Sequence, residues 1–400
     1  MEHLKKVCVL GLGYIGLPTA ALIASKKIAV LGVDVNDEVI KTINSGGIHI
    51  VEPDLGGLVK YAIENSYLSA KKIPEASDVF IVAVPTPFRD DHAPDISFVQ
   101  AAVQSFIPVL SEGNLVIIES TSPVGTTEKM ASLIFEKRPE LKNKLYIAYC
   151  PERVLPGYVL YELEHNDRVI GGIDQKSTEK AKAFYRFFVN GELHETHSAT
   201  AEMCKLVENA YRDVSIAFAN ELSIMADKAK VDAKELINLA NKHPRVNILQ
   251  PGPGVGGHCI AVDPWFLISQ FPKETPLLKI ARERNRYKSL WVIEKIEMVI
   301  EQYKKKSNTP PVLALLGLSY KPDIDDLRES PALFIAQTLS QKHSILVNEP
   351  HVNKEFIGDI SNHNFPEILE ECDIVVKLVN HKLYQDYDFR KHNKIFLDFA

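Results

Sequence analysis

The opening 34 residues constrain the fold more than any other segment of the chain. An apolar strand, Val7–Gly11, runs directly into the glycine pattern GLGYIG at residues 11–16. A small-residue helix, Gly16–Ser25, and a second strand, Ala29–Asp34, follow at once. In such a pattern the first glycine permits a tight turn, the second admits a pyrophosphate to the backbone, and the third allows close helix–strand packing. The segment therefore predicts a β–α–β unit that binds a dinucleotide at the helix N-terminus.

Asp34, at the end of the second strand, indicates which dinucleotide is bound. Its carboxylate can accept hydrogen bonds from both ribose hydroxyls and would repel a 2′-phosphate, which favours NAD over NADP. Thr86 and Thr121 follow the predicted strands Val79–Val84 and Leu115–Glu119, where ligands bind in open α/β sheets. The alternatives are a glycine turn without a ligand, which the matched context disfavours, and ordinary polar turns at the threonines.

The remaining sequence predicts an α/β protein with two Rossmann-like parallel-sheet domains joined by a central helical region. Residues 200–242 have helical spacing without Gly or Pro and predict a long helix or a helix pair, and Leu277–Tyr303 predicts another helix. The polar segment Lys304–Pro311 is the best linker candidate. Ser330–Pro331 then predicts the start of a helix in a second α/β unit. The expected domains are 1–195, 196–303 and 304–400.

Composition excludes several classes of protein. Acidic residues outnumber basic ones, 52 to 46, giving a net charge of −6, which argues against nucleic-acid binding. Apolar runs such as Val79–Pro85 are far shorter than the ~20 residues that span a bilayer. The five cysteines are odd in number and contain no CxxC pair, so we expect neither disulfides nor a metal site. A cytoplasmic protein is predicted.

Cys259, in the segment GGHCIAVD, is the candidate nucleophile. The glycine pair before it removes side-chain bulk, so a large ligand could approach the sulfur. His258 and Lys205 could supply the positive charge or hydrogen-bond donors that a thiolate needs. The alternative is a buried structural thiol.

Further polar residues occur at positions typical of a site. Lys205 and Asn209 are four residues apart and share a helical face, with Arg212 near it. Glu152 follows a predicted strand end, and Lys321 lies in a charged loop after the first strand of the last domain. Each set has a plain alternative, because solvated helix faces and charged turns are common.

Taken together, the motifs resemble those of the UDP-glucose/GDP-mannose dehydrogenase family over nearly the whole chain. The segments that carry the resemblance are GLGYIGLP, VPTP, ESTSPVGTTEKM, AYCPERVLPG, NDRVIGG, TAEMCKLVENAYRDVSIAFANEL, NKHPRVNILQPGPGVGGHCIAVDPWF and YKPDIDDLRESPA. Three of them, CPERVLPG, HPRVNILQPGPGVGGHCIAVDPWF and DDLRESPA, are most similar to members acting on UDP-N-acetyl-D-mannosamine. Those members serve bacterial surface polysaccharides such as enterobacterial common antigen.

The resemblance implies NAD-dependent, four-electron oxidation of UDP-N-acetyl-D-mannosamine at C6 through a thiohemiacetal and a thioester. It also implies a homodimer built on the central helices. The implied catalytic residues are Cys259, Lys205, Asn209, Asp263, Glu152 and Thr121. The implied NAD ligands are Gly11, Gly13, Tyr14, Ile15, Gly16, Asp34, Thr86, Thr121 and Arg328. The implied substrate ligands are Arg153, Val154, Lys205, Asn209, Arg212, His243, Arg245, Gly254, Tyr320 and Lys321, and Arg245 is expected to reach the neighbouring subunit.

Three alternatives stay open at this point. The same chemistry could act on UDP-glucose, UDP-GlcNAc or UDP-GalNAc. A two-electron β-hydroxyacid dehydrogenase of similar layout would need a catalytic lysine but no cysteine. An NAD-binding regulatory or scaffold protein would require neither Cys259 nor Lys205.

Overall fold

The computed structural model describes residues 4–89, 92–155, 157–257, 259–353, 355–392 and 394–400. The chain divides into two compact units, Met1–Glu208 and Asn209–Ala400. Its strands are β1 Lys6–Leu10, β2 Ala29–Val33, β3 Leu68–Lys71, β4 Val79–Val82, β5 Leu115–Ile118, β6 Tyr146–Tyr149, β7 Arg168–Gly172, β8 Leu193–His197, β9 Leu313–Leu316, β10 Ile345–Asn348, β11 Phe356–Ile357, β12 Ile360–Ser361, β13 Ile374–Lys377 and β14 Ile395–Asp398.

Helices connect most of these strands. Their bounds are α1 Gly16–Ser25, α2 Asp37–Asn44, α3 Leu55–Glu64, α4 Ser97–Phe106, α5 Thr126–Lys137, α6 Val159–His165, α7 Gln175–Tyr185, α8 Ser198–Ala229, α9 Ala233–Ala240, α10 Asp263–Gln270, α11 Pro276–Ser307, α12 Pro331–Ser340 and α13 Lys382–Gln385. None of the helices within the described ranges is both long and apolar enough to span a bilayer.

In the first unit, the described strands form an eight-stranded sheet with the order β3-β2-β1-β4-β5-β6-β7-β8. The first six follow the order of a doubly wound dinucleotide-binding sheet, and only the β6–β7 pairing is antiparallel. Alternate residues of β1 enter two apolar cores, Val7 and Val9 on one face and Cys8 and Leu10 on the other. Coverage on both faces explains why the central strands β4 and β5 are continuous apolar runs.

In the second unit, a smaller sheet has the order β10-β9-β13-β14, with all pairings parallel. One apolar core includes residues of β9 and β13 together with α12 and the C-terminal half of α11. Ser330 caps α12 as its sequence predicts, because its hydroxyl accepts a hydrogen bond from the Leu333 amide at 3.2 Å. The fold class is therefore the predicted one.

The central region has one of the two predicted arrangements, and it departs from the prediction only at the expected linker. The segment 200–242 is a helix pair, interrupted where Lys230 has φ +58° and where Asp232 caps α9. The predicted linker Lys304–Pro311 is shorter than expected, because α11 continues to Ser307 and ends only at Asn308, whose φ is also +58°. Polar composition alone does not end a helix whose residues retain good helical propensity.

Candidate active site

The glycine turn of the first unit, residues 11–16, allows other groups to approach its backbone closely. The Gly11 amide donates to Val33 O at 2.8 Å, which ties the turn after β1 to the end of β2. A Cβ on Gly16 would lie 1.8 Å from Gly11 O, so only glycine lets α1 start here. A Cβ on Gly13 would have no atom within 4 Å, so this side of the turn is open. An open backbone at a helix N-terminus fits a pyrophosphate.

Asp34 lies directly after β2 and faces the same turn. Its Oδ2 accepts the Leu12 amide at 2.9 Å, and its Oδ1 accepts the Asn36 amide at 2.9 Å. The carboxylate is only half-buried, and each oxygen keeps capacity to accept from a ribose hydroxyl. At the start of α1, no side chain caps the helix at Ile15 and no acidic residue lies in the first turn. These features suit NAD, and Tyr14 beside them is 40% exposed.

The ends of β4 and β5 are connected through Ser120. Its hydroxyl donates to Val84 O at 2.7 Å and so holds the turn that carries Thr86. Thr86 and Thr121 are both half-buried at this edge of the sheet. The next turn is held by Glu202 of α8, whose carboxylate accepts the Gly125 and Thr127 amides at 2.6 and 2.7 Å. Glu202 therefore occupies the N-terminus of α5.

Glu152, past the end of β6, is buried and paired with Arg168, whose Nη2 lies 3.2 Å from Glu152 Oε2. The ammonium group of Lys205 donates to the backbone carbonyl of Glu152 at 2.8 Å. The first unit thus brings the predicted residues Glu152 and Lys205 into contact. Arg153 instead pairs with Glu208, with Nη2 at 2.9 Å from Oε1, and Val154 packs against the apolar core.

In the second unit, Cys259 is partly exposed and lies in the turn that precedes α10, four residues before Asp263. Its carbonyl accepts the amides of Val262 and Asp263 at 3.0 and 2.8 Å, which forms the turn that starts the helix. The carboxylate of Asp263 accepts a hydrogen bond from the Asn209 amide group at 2.6 Å, and both side chains are buried. Cys259, Asp263 and Asn209 are therefore brought together.

The glycine pair before Cys259 lets Tyr320 and the backbone of Glu329 pack closely against this segment. A Cβ on Gly256 would lie 2.6 Å from both Tyr320 Cβ and Glu329 O, and one on Gly257 would lie 2.8 Å from the Tyr320 ring. The space left by the missing side chains is filled by the chain's own tyrosine. Burial, followed by the nearby Asp326 and Cys259, raises the pKa of Tyr320. His258 lies outside the described residues.

Buried polar side chains of α8 and α11 hold residues 250–257, the segment before Cys259 that we call the cysteine loop. Asn220 accepts the Gly252 amide at 3.0 Å, and Ser289 donates to Pro253 O at 2.8 Å. Asn220 in turn donates to Asn285 at 2.9 Å, and Arg282 pairs with Asp213 at 2.7 Å. Burial raises the pKa of Asp213 even though Arg282 opposes the effect.

The other predicted ligands of the second unit are mostly exposed. Arg212, His243, Arg245 and Lys321 are open to solvent, and the Gly254 backbone packs against Ser289 and Pro331. Arg328, predicted to bind NAD, forms a bidentate pair with Asp326 at 2.9 and 2.7 Å. The positive charge of the Arg328 guanidinium is therefore partly neutralised by a carboxylate of its own loop.

Sequence reasoning missed Glu202 and the residues around Arg168, which are Glu119, Tyr185 and Cys150. The quoted segments ESTSPVGTTEKM and NDRVIGG contain Glu119 and Arg168. Two signals were available in the sequence. Glu119 is an acidic residue directly after an apolar strand, and Arg168 is an arginine at the start of another strand. Nothing in their spacing indicated that the two would meet.

Comparisons with known proteins agree with this architecture. Residues 5–189 match the NAD binding domain of the UDP-glucose/GDP-mannose dehydrogenase family, 199–287 its central domain, and 314–399 its UDP binding domain. The chain is 52% identical to a UDP-N-acetyl-D-mannosamine dehydrogenase from Yersinia pestis, over 95% of this chain and 94% of that protein. It is 48% identical to an NDP-N-acetyl-D-galactosaminuronic acid dehydrogenase from Ralstonia nicotianae, over 98% and 95% of the two chains.

A solved structure of a UDP-D-ManNAc dehydrogenase from Pyrococcus horikoshii is 38% identical, with a TM-score of 0.89, covering 99% of this chain and 95% of that one. Fold, glycine turn and matches together define an NAD-dependent nucleotide-sugar oxidoreductase. The chain belongs to the UDP-glucose/GDP-mannose dehydrogenase family.

Proposed function

We propose that this enzyme oxidises C6 of UDP-N-acetyl-D-mannosamine to the carboxylate, giving UDP-N-acetyl-D-mannosaminuronate. The observation that carries the proposal is the partly exposed Cys259, one turn ahead of the buried Asp263–Asn209 pair. The substrate for which the Yersinia pestis and Pyrococcus horikoshii relatives are named supports this sugar over the alternatives. The acidic product would serve the synthesis of surface polysaccharides such as enterobacterial common antigen.

The residues that would hold NAD are those of the glycine turn, Tyr14, Ile15, Asp34, Thr86, Thr121 and Arg328. When bound, NAD accepts one hydride, so a four-electron oxidation uses two molecules in turn. The protein's part is to orient the dinucleotide, with backbone amides on its pyrophosphate and the Asp34 carboxylate on its ribose. Among described residues, the first turn of α1 has no acidic side chain to oppose the phosphates.

Cys259 retains the half-oxidised sugar. Its sulfur adds to the C6 aldehyde, so a C–S bond forms and the carbonyl oxygen takes a proton, which gives a thiohemiacetal. Loss of a second hydride and of that hydroxyl proton leaves a thioester. Water then attacks the carbonyl carbon, the C–S bond breaks, and the sugar carboxylate leaves a free thiol. Without the covalent link, a reactive aldehyde would diffuse away.

Polar side chains would assist these proton transfers. Lys205 and Asn209 donate hydrogen bonds to oxygen as negative charge develops on it, an interaction that is strongest in a dry pocket. Asp263 orients the Asn209 amide through their 2.6 Å hydrogen bond. Glu152 and Thr121 would order the water that hydrolyses the thioester.

The UDP-sugar carries about two negative charges, which basic side chains would meet. The proposed ligands are Arg153, Val154, Lys205, Asn209, Arg212, His243, Arg245, Gly254, Tyr320 and Lys321. On this proposal residues 1–195 bind NAD, 196–303 carry the cysteine loop and the dimer contacts, and 304–400 bind UDP.

A homodimer through the central helices is part of the proposal. In the second unit, α8 exposes Tyr211, Phe218 and Met225 at spacings of seven residues, which form one helical stripe. Large exposed apolar side chains in such a stripe are typical of a protein interface. Phe218→Glu should turn a dimer into a monomer in analytical ultracentrifugation. An unchanged dimer would contradict this interface.

The NADH yield per sugar tests the mechanism. Purified enzyme with limiting UDP-N-acetyl-D-mannosamine should form two NADH per sugar, and Cys259→Ser should stall after the first oxidation. Cys204→Ser is the matched control, because Cys204 is also partly exposed but lies on α8 outside the proposed site. One NADH per sugar in the wild type, or full turnover by Cys259→Ser, would refute the cysteine mechanism.

A substrate panel tests the choice of sugar. The ratio of kcat/KM among UDP-N-acetyl-D-mannosamine, UDP-glucose, UDP-GlcNAc and UDP-GalNAc measures specificity directly. UDP-N-acetyl-D-mannosamine should be preferred. A higher kcat/KM for any of the other three would replace the substrate and leave the chemistry in place.

A further inference from the structure

A buried charge cluster lies at one edge of the first unit's sheet, behind Glu152. Glu119 follows β5 directly, Glu152 follows β6 after two residues, and Arg168 opens β7, which runs antiparallel to β6. The three side chains therefore converge at the same edge. Arg168 Nη2 lies 3.2 Å from Glu152 Oε2, and Nη1 lies 3.9 Å from Glu119 Oε1. All three residues are more than 90% buried.

The cluster has two carboxyl groups and one guanidinium. Other groups face Glu119 as well: the Tyr185 hydroxyl donates to its Oε1 at 2.6 Å, and the Cys150 sulfur lies 3.9 Å from Arg168 Nη1. Glu119 Oε2 and Arg168 Nε have no hydrogen-bond partner within the described part of the chain. Two buried carboxylates that share one cation cannot both ionise freely, since each opposes the charge of the other.

Glu152 connects this cluster to the proposed chemistry. Its backbone carbonyl accepts the Lys205 ammonium at 2.8 Å, and its own Oε1 accepts the Arg153 amide at 2.6 Å. The position of Glu152 thus affects Lys205 and Arg153 together. Arg168 is the buried cation that holds the Glu152 side chain, and Glu119 competes for it.

We propose that Glu119 is a positioning residue that acts through Arg168 on Glu152, and so on Lys205. When Glu119 is neutral, Arg168 interacts fully with Glu152; when Glu119 is ionised, the guanidinium is shared and Glu152 is held less firmly. The inference rests on the proposed roles of Glu152 and Lys205.

Burial raises the pKa of Glu119 to about 7, although Arg168 and Tyr185 lower it and Glu152 raises it further. The group therefore changes charge within the working range of most enzymes. Glu119→Gln is neutral at every pH, so it mimics the protonated form. The ratio of kcat in Glu119→Gln to kcat in the wild type cancels ionisations that both share.

We expect that ratio to be close to one near about pH 6 and to rise by about tenfold above about pH 8, the change that one pKa unit of interaction represents. KM for NAD should stay constant, because neither Glu152 nor Lys205 is a proposed NAD ligand, whereas KM for the UDP-sugar is expected to change less than kcat. Tyr185→Phe removes a hydrogen bond to the ionised form, which raises the pKa of Glu119. The kcat of Tyr185→Phe should therefore begin to fall at a higher pH than the kcat of the wild type.

Ser177→Ala is the matched structural control. Its hydroxyl accepts the Ile147 amide at 3.1 Å, a buried bond to β6 near the other end of the strand. This variant should lose stability while its kcat ratio to the wild type stays flat with pH. A kcat ratio for Glu119→Gln that is also flat with pH would overturn the inference. A pH profile of kcat in Tyr185→Phe that matches the wild type would overturn it too. If Glu119→Gln does not fold, the Tyr185→Phe profile alone tests the inference.

Glu152→Gln separates this inference from the proposed function. If Glu152→Gln keeps full kcat, the proposed catalytic role of Glu152 is wrong and the inference fails with it. If Glu152→Gln loses activity and the Glu119→Gln ratio is flat, only the inference fails.

Discussion

The first strand of each unit, β1 and β9, is followed by the same backbone arrangement, and the two units use it differently. In the first, Gly11 has φ +87° and its amide donates to Val33 O at 2.8 Å. In the second, Gly317 has φ +84° and its amide donates to Asn348 O at 2.8 Å. In each unit an acidic residue comes directly after the second strand, Asp34 after β2 and Glu349 after β10.

The two carboxylates differ in what they bind. Asp34 is half-exposed and accepts one amide of the glycine turn, which leaves it able to meet a ribose. Glu349 is 1% exposed, and its Oε2 accepts the Leu318 and Ser319 amides at 2.7 and 2.8 Å. That oxygen also lies 3.2 Å from His381 Nε2. The first unit leaves its acid accessible to solvent, and the second uses its acid for internal hydrogen bonds.

Loop length accounts for the difference. In the first unit α1 starts at Gly16, soon after Gly11, so helix and strand hold the turn. In the second unit α12 starts only at Pro331, and the longer loop needs an internal anchor. Glu349 and His381 supply it, since His381 Nδ1 also accepts the Asp323 amide at 2.9 Å. The same position thus changes from the proposed ligand contact of Asp34 to the structural support that Glu349 provides.

The largest expected effect that tests this contrast is on stability. Glu349→Ala leaves two buried amides and His381 without their acceptor, so we expect a loss of about 3–5 kcal/mol in the free energy of unfolding. Asp34→Ala should cost less, about 1–2 kcal/mol, because the Asp34 carboxylate is half-exposed and only one of the two amides it accepts, that of Leu12, belongs to a buried residue. Urea denaturation of both variants checks the difference. Equal losses would mean that the two acids have the same structural role.

The next effect is on cofactor use. Asp34→Asn removes a charged hydrogen-bond acceptor from the ribose, which should lower kcat/KM for NAD by roughly 10- to 100-fold and reduce the discrimination against NADP. Steady-state kinetics with both dinucleotides measure it. Glu349→Gln is the matched change in the other unit and should leave KM for NAD unaltered. A similar rise in KM for NAD from both substitutions would contradict the contrast.

The smallest effect is a dependence of stability on pH. Burial by itself raises the pKa of Glu349, but His381 and the Leu318 and Ser319 amides outweigh it and hold the pKa below its usual value of 4.5. The stabilisation is therefore complete above that pH and is lost as pH falls through the folded-state pKa. Glu349→Gln lacks this titration, so its stability deficit should shrink by about 1 kcal/mol per pKa unit on acidification. Urea denaturation midpoints of the wild type and of Glu349→Gln, measured at several pH values, test this. A difference in stability that stays constant with pH would contradict the proposed titration of Glu349.

Much of the fold was predictable because its determinants are local. The sequence places α1 at its observed bounds, the start of α12 at Ser330–Pro331, and Asp34 at the end of β2. Glycine spacing, caps and apolar runs act through neighbouring residues, so contiguous sequence is enough to recognise them. The family motifs likewise identified Cys259 and Lys205 as candidates.

Tertiary structure alone decided which distant side chains meet. Tyr320 packs beside Gly256 and Gly257, a contact that no spacing along the chain indicates. Arg168 meets Glu119 because strand order brings β5, β6 and β7 to one edge, and no spacing along the chain encodes that encounter. Likewise Glu349 and Asp34 occupy equivalent positions, and only burial by His381 and the longer loop separates their roles. The local backbone conformation is determined by neighbouring residues, whereas the environment of a buried charge depends on how the sheet is assembled.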